Sequence, residues 1–436
     1  MEKQQELSSK FDQAELLTTE NKELNIKVEN WQVEDISSSD LTRSSLRVIE
    51  KGSLGSNTSF GQSDKSWHKL LTGAGKSAQY GDEAVFSFSQ HSLNSYHERE
   101  EKNFHASRPE DIIFFIEKLL DFFRASASDL TLNVSLSKTY EKITLQTSRS
   151  ARLRENKTNY RLVVSVPIPG GGSQFARYFE QSEMFGTIPE VELNQFLREF
   201  SAASEVSCPQ TGNLPVIFTP RSLYFFMVAF KEGISAANIY QEISPLQDRR
   251  ERKIFSENIS VIDQPHMEAA HNRRYFDDEG IPTREQKLVE EGVLQKYLYD
   301  LEYASRLDAK PLGNGLKRSL FSSGIEVPVN PSPVNPVIEP GSSRKEDLIA
   351  DLQEGIMVEN IVGFHSSNYS QGHFSVQAHG YHIKEGELQG RLEDVMISGN
   401  IYDDFKQVEG VGRKLYPGYF GYYPYLLVPD IQISGR

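Results

Sequence analysis

The order of apolar and polar positions divides the chain into two contrasting halves. Alternation at Leu24, Ile26 and Val28, and again at Leu46 and Val48, predicts paired strands. A Lys51-Gly52 turn follows them, and three or four antiparallel strands are expected between Ala14 and Phe60. Residues 64–77 read as a helix with Asp64 as a possible N-cap. The clearest helix starts at Pro109. Ile112, Phe115, Ile116, Leu119, Leu120 and Phe123 recur at three- and four-residue spacing, with Glu110 and Asp111 in the first turn. Strand-like runs follow at 130–136, 140–146 and 160–166. The PIPGGGSQ stretch at 167–174 reads as a turn, and a further helix is expected over 189–203.

Past residue 205 the pattern shifts. Residues 214–218 read as a strand and 220–237 as an apolar, buried helix. Short strands with Gly turns are expected at 253–262, 285–300, 356–365, 372–384 and 424–434. A Pro-rich connector spans 326–343, and a short helix is expected over 344–356. The expected architecture is α+β: a leader at 1–13 taken as flexible, an N-terminal domain of antiparallel sheet with packed helices at 14–205, and a β-rich C-terminal domain at 206–436.

Composition narrows the function classes. With 436 residues, 38% hydrophobic and 25% charged, the chain suits a globular protein with a sizeable core. No apolar run is long enough to span a membrane, and residues 1–13 carry no signal-type stretch, so a cytoplasmic location is expected. The net charge of -14 disfavours nucleic acid as a partner. The single cysteine, Cys208, excludes an intrachain disulfide and a Cys-rich zinc knuckle.

Candidate chemistry is sparse. Two ligands on one helix face need spacing of about four residues, and none of the ten histidines forms such a helical pair. His365, His373, His379 and His382 form a C-terminal cluster. In an unbroken strand His373 and His379 share a face and His382 points away. His365, Asn368, His373 and His379 are candidates for lining a peptide cleft, and His365, His373 and His379 could serve an independent hydrolase. The simpler reading makes them polar positions of a half-exposed sheet. Asp277, Asp278 and Glu279, followed by Gly280 and Pro282, could be hard-metal ligands or a general base pair. The simpler alternative is a turn in which the carboxylates accept from backbone N–H groups and Gly280 supplies an unusual φ. TGAGKS at 72–77 fails as a phosphate loop, since position 70 is Leu, and no G-x-S-x-G elbow occurs. The tyrosine-rich end from Tyr416 reads equally as a contact surface or as the approach to a last core strand.

Several phrases resemble one family in order along residues 14–436: NWQVEDISSSDLTRSSLRVIEKGSLGSNTS, DDEGIPT with VEEGVLQKYLYDLEYASRL, IEPGSSRKEDLIADLQEGIMVENIVG, GHFSVQAHGYHIKEGEL and VMISGNIYDDFKQVEGVG. They are similar to the TldD/PmbA family, some of whose members carry the label modulator of DNA gyrase. The resemblance implies two α+β domains, dimers and a peptide-accessible cavity. In the TldD branch it implies a helical H-E-x-x-x-H motif and a later Cys that hold zinc, with the Glu as general base. Counting back from NIYQE places those positions at Val228, Ala229 and Gly233, and no His lies between residues 106 and 265. The chain therefore resembles the PmbA (TldE) branch. That implies a non-catalytic subunit that binds no cofactor itself and either pairs with a TldD-like, zinc-bearing partner or forms a dimer with itself, with peptides or unfolded proteins as substrate. A stand-alone peptide-binding scaffold is the other class of reading. Two departures from the branch are a short or missing N-terminal helix and FKEG in place of a small, Gly-rich helical stretch.

Overall fold

The computed structural model describes residues 2–91, 99–167, 174–181, 183–319, 322 and 324–435. They fall into two compact units that are discontinuous in sequence. The first comprises residues 1–188, 266–284 and 299–334, and the second 189–265, 285–298 and 335–436. The sequence reading draws one boundary at 205/206. Hydrophobic pattern identifies strands and helices but not which long-range segments join which core, so the two later excursions into the first unit leave no periodic trace.

The first unit is built on six antiparallel strands: β1 (Gln13–Glu29), β2 (Gln32–Glu50), β3 (Ser53–Phe60), β4 (Asn133–Thr147), β5 (Arg152–Pro167) and β6 (Gln174–Gln181), in the order β3-β2-β1-β4-β5-β6. The β1–β2 hairpin closes through Asn30 and Trp31, both at positive φ. Such two-residue turns match the right-handed twist of the strands they join. The runs expected at 130–136 and 140–146 form one continuous strand, β4. Of the PIPGGGSQ turn, residues 168–173 lie outside the described residues.

Residues 1–13, expected to be loose, instead contain the helix α1 (Glu2–Lys10). Leu7 is fully buried and Phe11 nearly so, in a core with Ala14, Leu16, Leu46 and Val48 of the sheet and Leu70, Leu71 and Ala74 of α2 (Asp64–Ala78). Two apolar residues in a polar leader are enough to dock it, and the N-terminal helix is present as a nine-residue element. Ser63, not Asp64, caps α2, its side chain accepting from Ser66 N at 3.2 Å. The opposite face of the sheet carries Leu17, Ile143, Leu145 and Leu153, which pack with Phe276 and Ile325. Next come α3 (Arg99–Ala106) and α4 (Pro109–Ser126). On α4 the six residues singled out by spacing are all buried.

The second unit begins with α5 (Glu190–Ala202), β7 (Gly212–Phe218) and α6 (Tyr224–Ile234). Strand β7 pairs in parallel with Glu354–Val362 and antiparallel with Leu426–Ser434. Leu426–Ser434 pairs with Val395–Asn400, which pairs with His373–Lys384, which returns to Glu354–Val362. The pairing thus closes into a ring. A separate small sheet gathers Val261–Asp263, Gln286–Glu290 and Pro336–Ile338. The Pro-rich run is extended, yet it is not a free connector: residues 331–338 are buried, and both Asn330–Pro331 and Pro336–Ile338 pair with strands. Among the described residues no helix is long and apolar enough to cross a membrane.

Candidate functional site

Helix α6 is apolar nearly all round, which is the signature of a helix buried on every side. Phe226 stacks on Phe405 with ring centroids 4.5 Å apart, and Phe225 lies 5.0 Å from Phe374. Val228, Ala229 and Gly233 are all buried. A Cβ at Gly233 would stand 2.2 Å from the Tyr402 hydroxyl, which itself donates to Ala229 O at 3.1 Å. The hydroxyl of Tyr402 therefore occupies the space that a side chain at 233 would need. Burial pushes the Tyr402 phenol well above its ordinary pKa, with Glu232 adding to the effect.

The C-terminal histidines do not converge. His373 and His379 lie on one strand, six residues and so about 20 Å apart. His365 sits in a short 3-10 turn and is exposed, as are Asn368 and His373. Burial lowers the pKa of half-buried His379, which favours neutral imidazole. His382 is buried; its Nδ1 lies 2.8 Å from Ser207 Oγ and its Nε2 3.5 Å from Glu354. Among the described residues no group of three or more His, Cys, Asp or Glu could hold a metal ion.

The acidic turn gathers several buried charges in the first unit. Asp277 Oδ1 accepts from Glu279 N (3.0 Å) and Ile281 N (2.8 Å), and Oδ2 accepts from Gly315 N (2.9 Å). Asp278 accepts from Lys317 N at 2.7 Å and pairs with Arg274 at 2.9 Å. Glu279 accepts from Leu301 N at 2.7 Å and pairs with Arg47 at 2.8 Å. Gly280 has φ +74, and a Cβ there would meet Leu145 at 2.9 Å. Only glycine fits both the left-handed backbone and the close sheet.

Residues that sequence reasoning passed over complete this arrangement. Glu15 and Arg47 are direct cross-strand partners, 2.7 Å apart, and both are buried. Their signal was present: two charges, each flanked by apolar residues, almost equidistant from the Asn30–Trp31 turn. Burial pushes Glu15 up to about 7, with Arg47 pulling it back. Burial disfavours the Arg47 charge, but Glu15 and Glu279 outweigh it and hold Arg47 cationic. Burial and the Glu279 charge push Asp277 well above the usual carboxylate range, against the pull of its three N–H donors. Burial works against the Asp278 charge too, yet Arg274 holds that carboxyl below the usual range. Burial, with Glu279, raises Asp300 to about 8.

Residues 211–435 match the PmbA/TldA metallopeptidase C-terminal domain, which is just over half of the chain. The chain belongs to the TldD/PmbA family. This family member is 27% identical over 436 residues to a metalloprotease of Methanocaldococcus jannaschii, covering 97% of this chain and 94% of that one. It is 30% identical over 217 residues to a metalloprotease of Archaeoglobus fulgidus, spanning about half of each protein (49%). It is 24% identical over 226 residues to a PmbA homolog of Buchnera aphidicola, covering 52% of this chain and 47% of that one. In fold it is similar to TldE from Thermococcus kodakarensis, with a TM-score of 0.87 at 21% identity over 100% of this chain and 99% of that one.

Zinc is the metal that the metallopeptidase members of this family imply, and the α6 residues at the positions the resemblance points to do not fit it. The side chains of Val228, Ala229 and Gly233 offer no metal-ligating atom, and the Tyr402 hydroxyl fills the space beside Gly233. No hydrolytic step can be derived through a metal held at these three positions.

Proposed function

We propose that this TldD/PmbA-family chain is a PmbA/TldE-like, non-catalytic subunit of a zinc peptidase that acts on peptides or unfolded proteins. Its partner is a TldD-like chain that carries H-E-x-x-x-H and supplies zinc, general base and activated water. This chain contributes a wall that holds an extended peptide by backbone hydrogen bonds. The observation that carries the reading is the filled, donor-free face of α6 at Val228, Ala229 and Gly233, with Tyr402 packed beside it.

The test is purification of the tagged chain from its native host, followed by metal analysis and a peptide-cleavage assay. The expected result is co-purification with an H-E-x-x-x-H chain, cleavage only by the pair, and zinc in proportion to the partner. Stoichiometric zinc and cleavage by this chain alone would sink the reading. Recovery of a homodimer with no such partner would replace it with the stand-alone scaffold.

A further inference from the structure

A cavity of about 180 Å³ opens in the first unit beside the acidic turn. Arg47, Glu279, Asp300 and Lys317 line it on one side, and Leu54, Phe86 and Ile325 supply apolar wall. The buried charges linked to it through shared ion pairs and the acidic turn do not balance. Glu15, Glu155, Asp277, Asp278, Glu279 and Asp300 are buried carboxylates, and the cations that face them are Arg47 and Lys317, both buried, and Arg274, which is partly exposed. Arg47 is shared by Glu15 and Glu279, and Arg274 by Glu155 and Asp278. Lys317 donates to Val327 O at 3.1 Å, and burial followed by the Arg47 charge lowers its pKa. At the rim, Glu302 is held by Arg306 and Glu326 lies near Arg43.

Asp300 is left over. It is 3% exposed, and one carboxylate oxygen accepts from Tyr303 N at 2.8 Å. Among the described residues its other oxygen accepts no hydrogen bond, and no cation forms an ion pair with it. A buried carboxylate facing a cavity without a counter-ion is costly, and a ligand cation placed there relieves the cost.

We propose that this cavity binds a primary ammonium group carried next to an apolar side chain, with Asp300 as its counter-ion. The ammonium donates to the free Asp300 oxygen and replaces the proton that burial otherwise keeps on the carboxyl. Leu54, Phe86 and Ile325 receive the apolar side chain. Two sources share this chemistry: a small free amine and the N-terminus of a peptide. The proposal does not depend on a partner subunit, so the purified chain alone is the test object.

The experiment is calorimetric titration of the full chain with leucinamide, with the amide of Leu-Ala-Ala-Ala, and with N-acetyl-leucinamide. Saturable binding of leucinamide that is lost on acetylation is expected. Equal or tighter binding of the tetrapeptide amide identifies a peptide N-terminus as the source, and binding of leucinamide alone identifies a small amine. Asp300→Asn keeps the acceptor for Tyr303 N and removes the charge, and should weaken binding about tenfold or more. Thr58→Tyr, which fills the cavity from β3 and leaves the charges in place, should also abolish binding. The absence of saturable binding by either amine, equal binding of the acetylated compound, or unchanged affinity in a folded Asp300→Asn or Thr58→Tyr chain each overturns the proposal.

Discussion

The acidic turn of the first unit and helix α6 of the second bury comparable positions with opposite chemistry. At the turn, carboxylates sit out of water among guanidinium groups and backbone N–H donors. On α6, the face at Val228, Ala229 and Gly233 is closed by apolar side chains, aromatic rings and a tyrosine hydroxyl. Perturbed titratable groups are a common mark of functional sites. Here they gather at the turn, where structural hydrogen bonds already use most of their lone pairs. The contrast teaches that charge density and family chemistry can part company within one chain. The turn's carboxylates are tied into backbone and ion-pair contacts, whereas Val228, Ala229 and Gly233 of α6 are apolar core.

The largest expected effect separates these two kinds of burial. Arg47→Met removes the one guanidinium that Glu15 and Glu279 share. Breaking a buried pair by deleting one partner typically costs about 3–5 kcal/mol, because the remaining charges are left uncompensated. Urea unfolding of the first unit should show a loss of that size. A loss below about 1 kcal/mol would mean that the ion pairs of Arg47 add little, and the turn would then be held by its backbone hydrogen bonds rather than by charge.

A pH series sharpens the same point. Glu15 is raised from 4.5 to about 7 and Asp300 from 3.8 to about 8. The folded chain therefore holds protons that the unfolded chain has released, and stability falls as pH rises through that window. The contribution is complete below the unfolded values and is lost as pH passes the folded ones. For Glu15 alone the loss is at most about 3 kcal/mol. Between pH 5 and pH 8.5 the melting temperature of the wild type should fall more than that of Glu15→Gln, and Asp300→Asn should narrow the fall in the same way. Parallel curves would show that neither group titrates differently on unfolding. No such slope is expected from Val228, Ala229 and Gly233 of α6, whose side chains do not titrate.

How much of this was legible beforehand follows the range of the interactions. The apolar stripe of α4, the strands of the first hairpins and the buried character of α6 are local patterns, and periodicity reports them. The turn residues 277–280 were legible as backbone acceptors for a similar reason, since Asp277 serves N–H groups two and four positions away. Their burial was not legible, because it depends on Arg47, 232 positions away from Glu279, and on the Gly315 backbone. The histidines mislead in the opposite direction. Closeness in sequence along a strand means separation in space, and His373 and His379 are pulled apart by the same extension that makes them neighbours on paper. The docking of residues 2–10 was missed because Leu7 and Phe11 are too few to form a period, though enough to fill a gap beside α2.

The smallest effect tests whether α6 is closed by packing or merely by the absence of ligands. Gly233→Ala drives a methyl to 2.2 Å from the Tyr402 hydroxyl and should cost about 1–3 kcal/mol as overpacking. Tyr402→Phe removes that oxygen together with its 3.1 Å bond to Ala229 O, and alone should cost about 1 kcal/mol. If the two side chains compete for one space, the double variant will be more stable than the sum of the single losses predicts, because the phenyl ring leaves room for the new methyl. Chemical unfolding of the four proteins gives the coupling directly. Strict additivity would place the strain on Leu246, whose Cδ1 lies 3.0 Å from the same position, and Tyr402 would then be a bystander. A favourable coupling would show that the hydroxyl itself seals the helix, so that restoring a ligand at 233 would require giving up Tyr402 first.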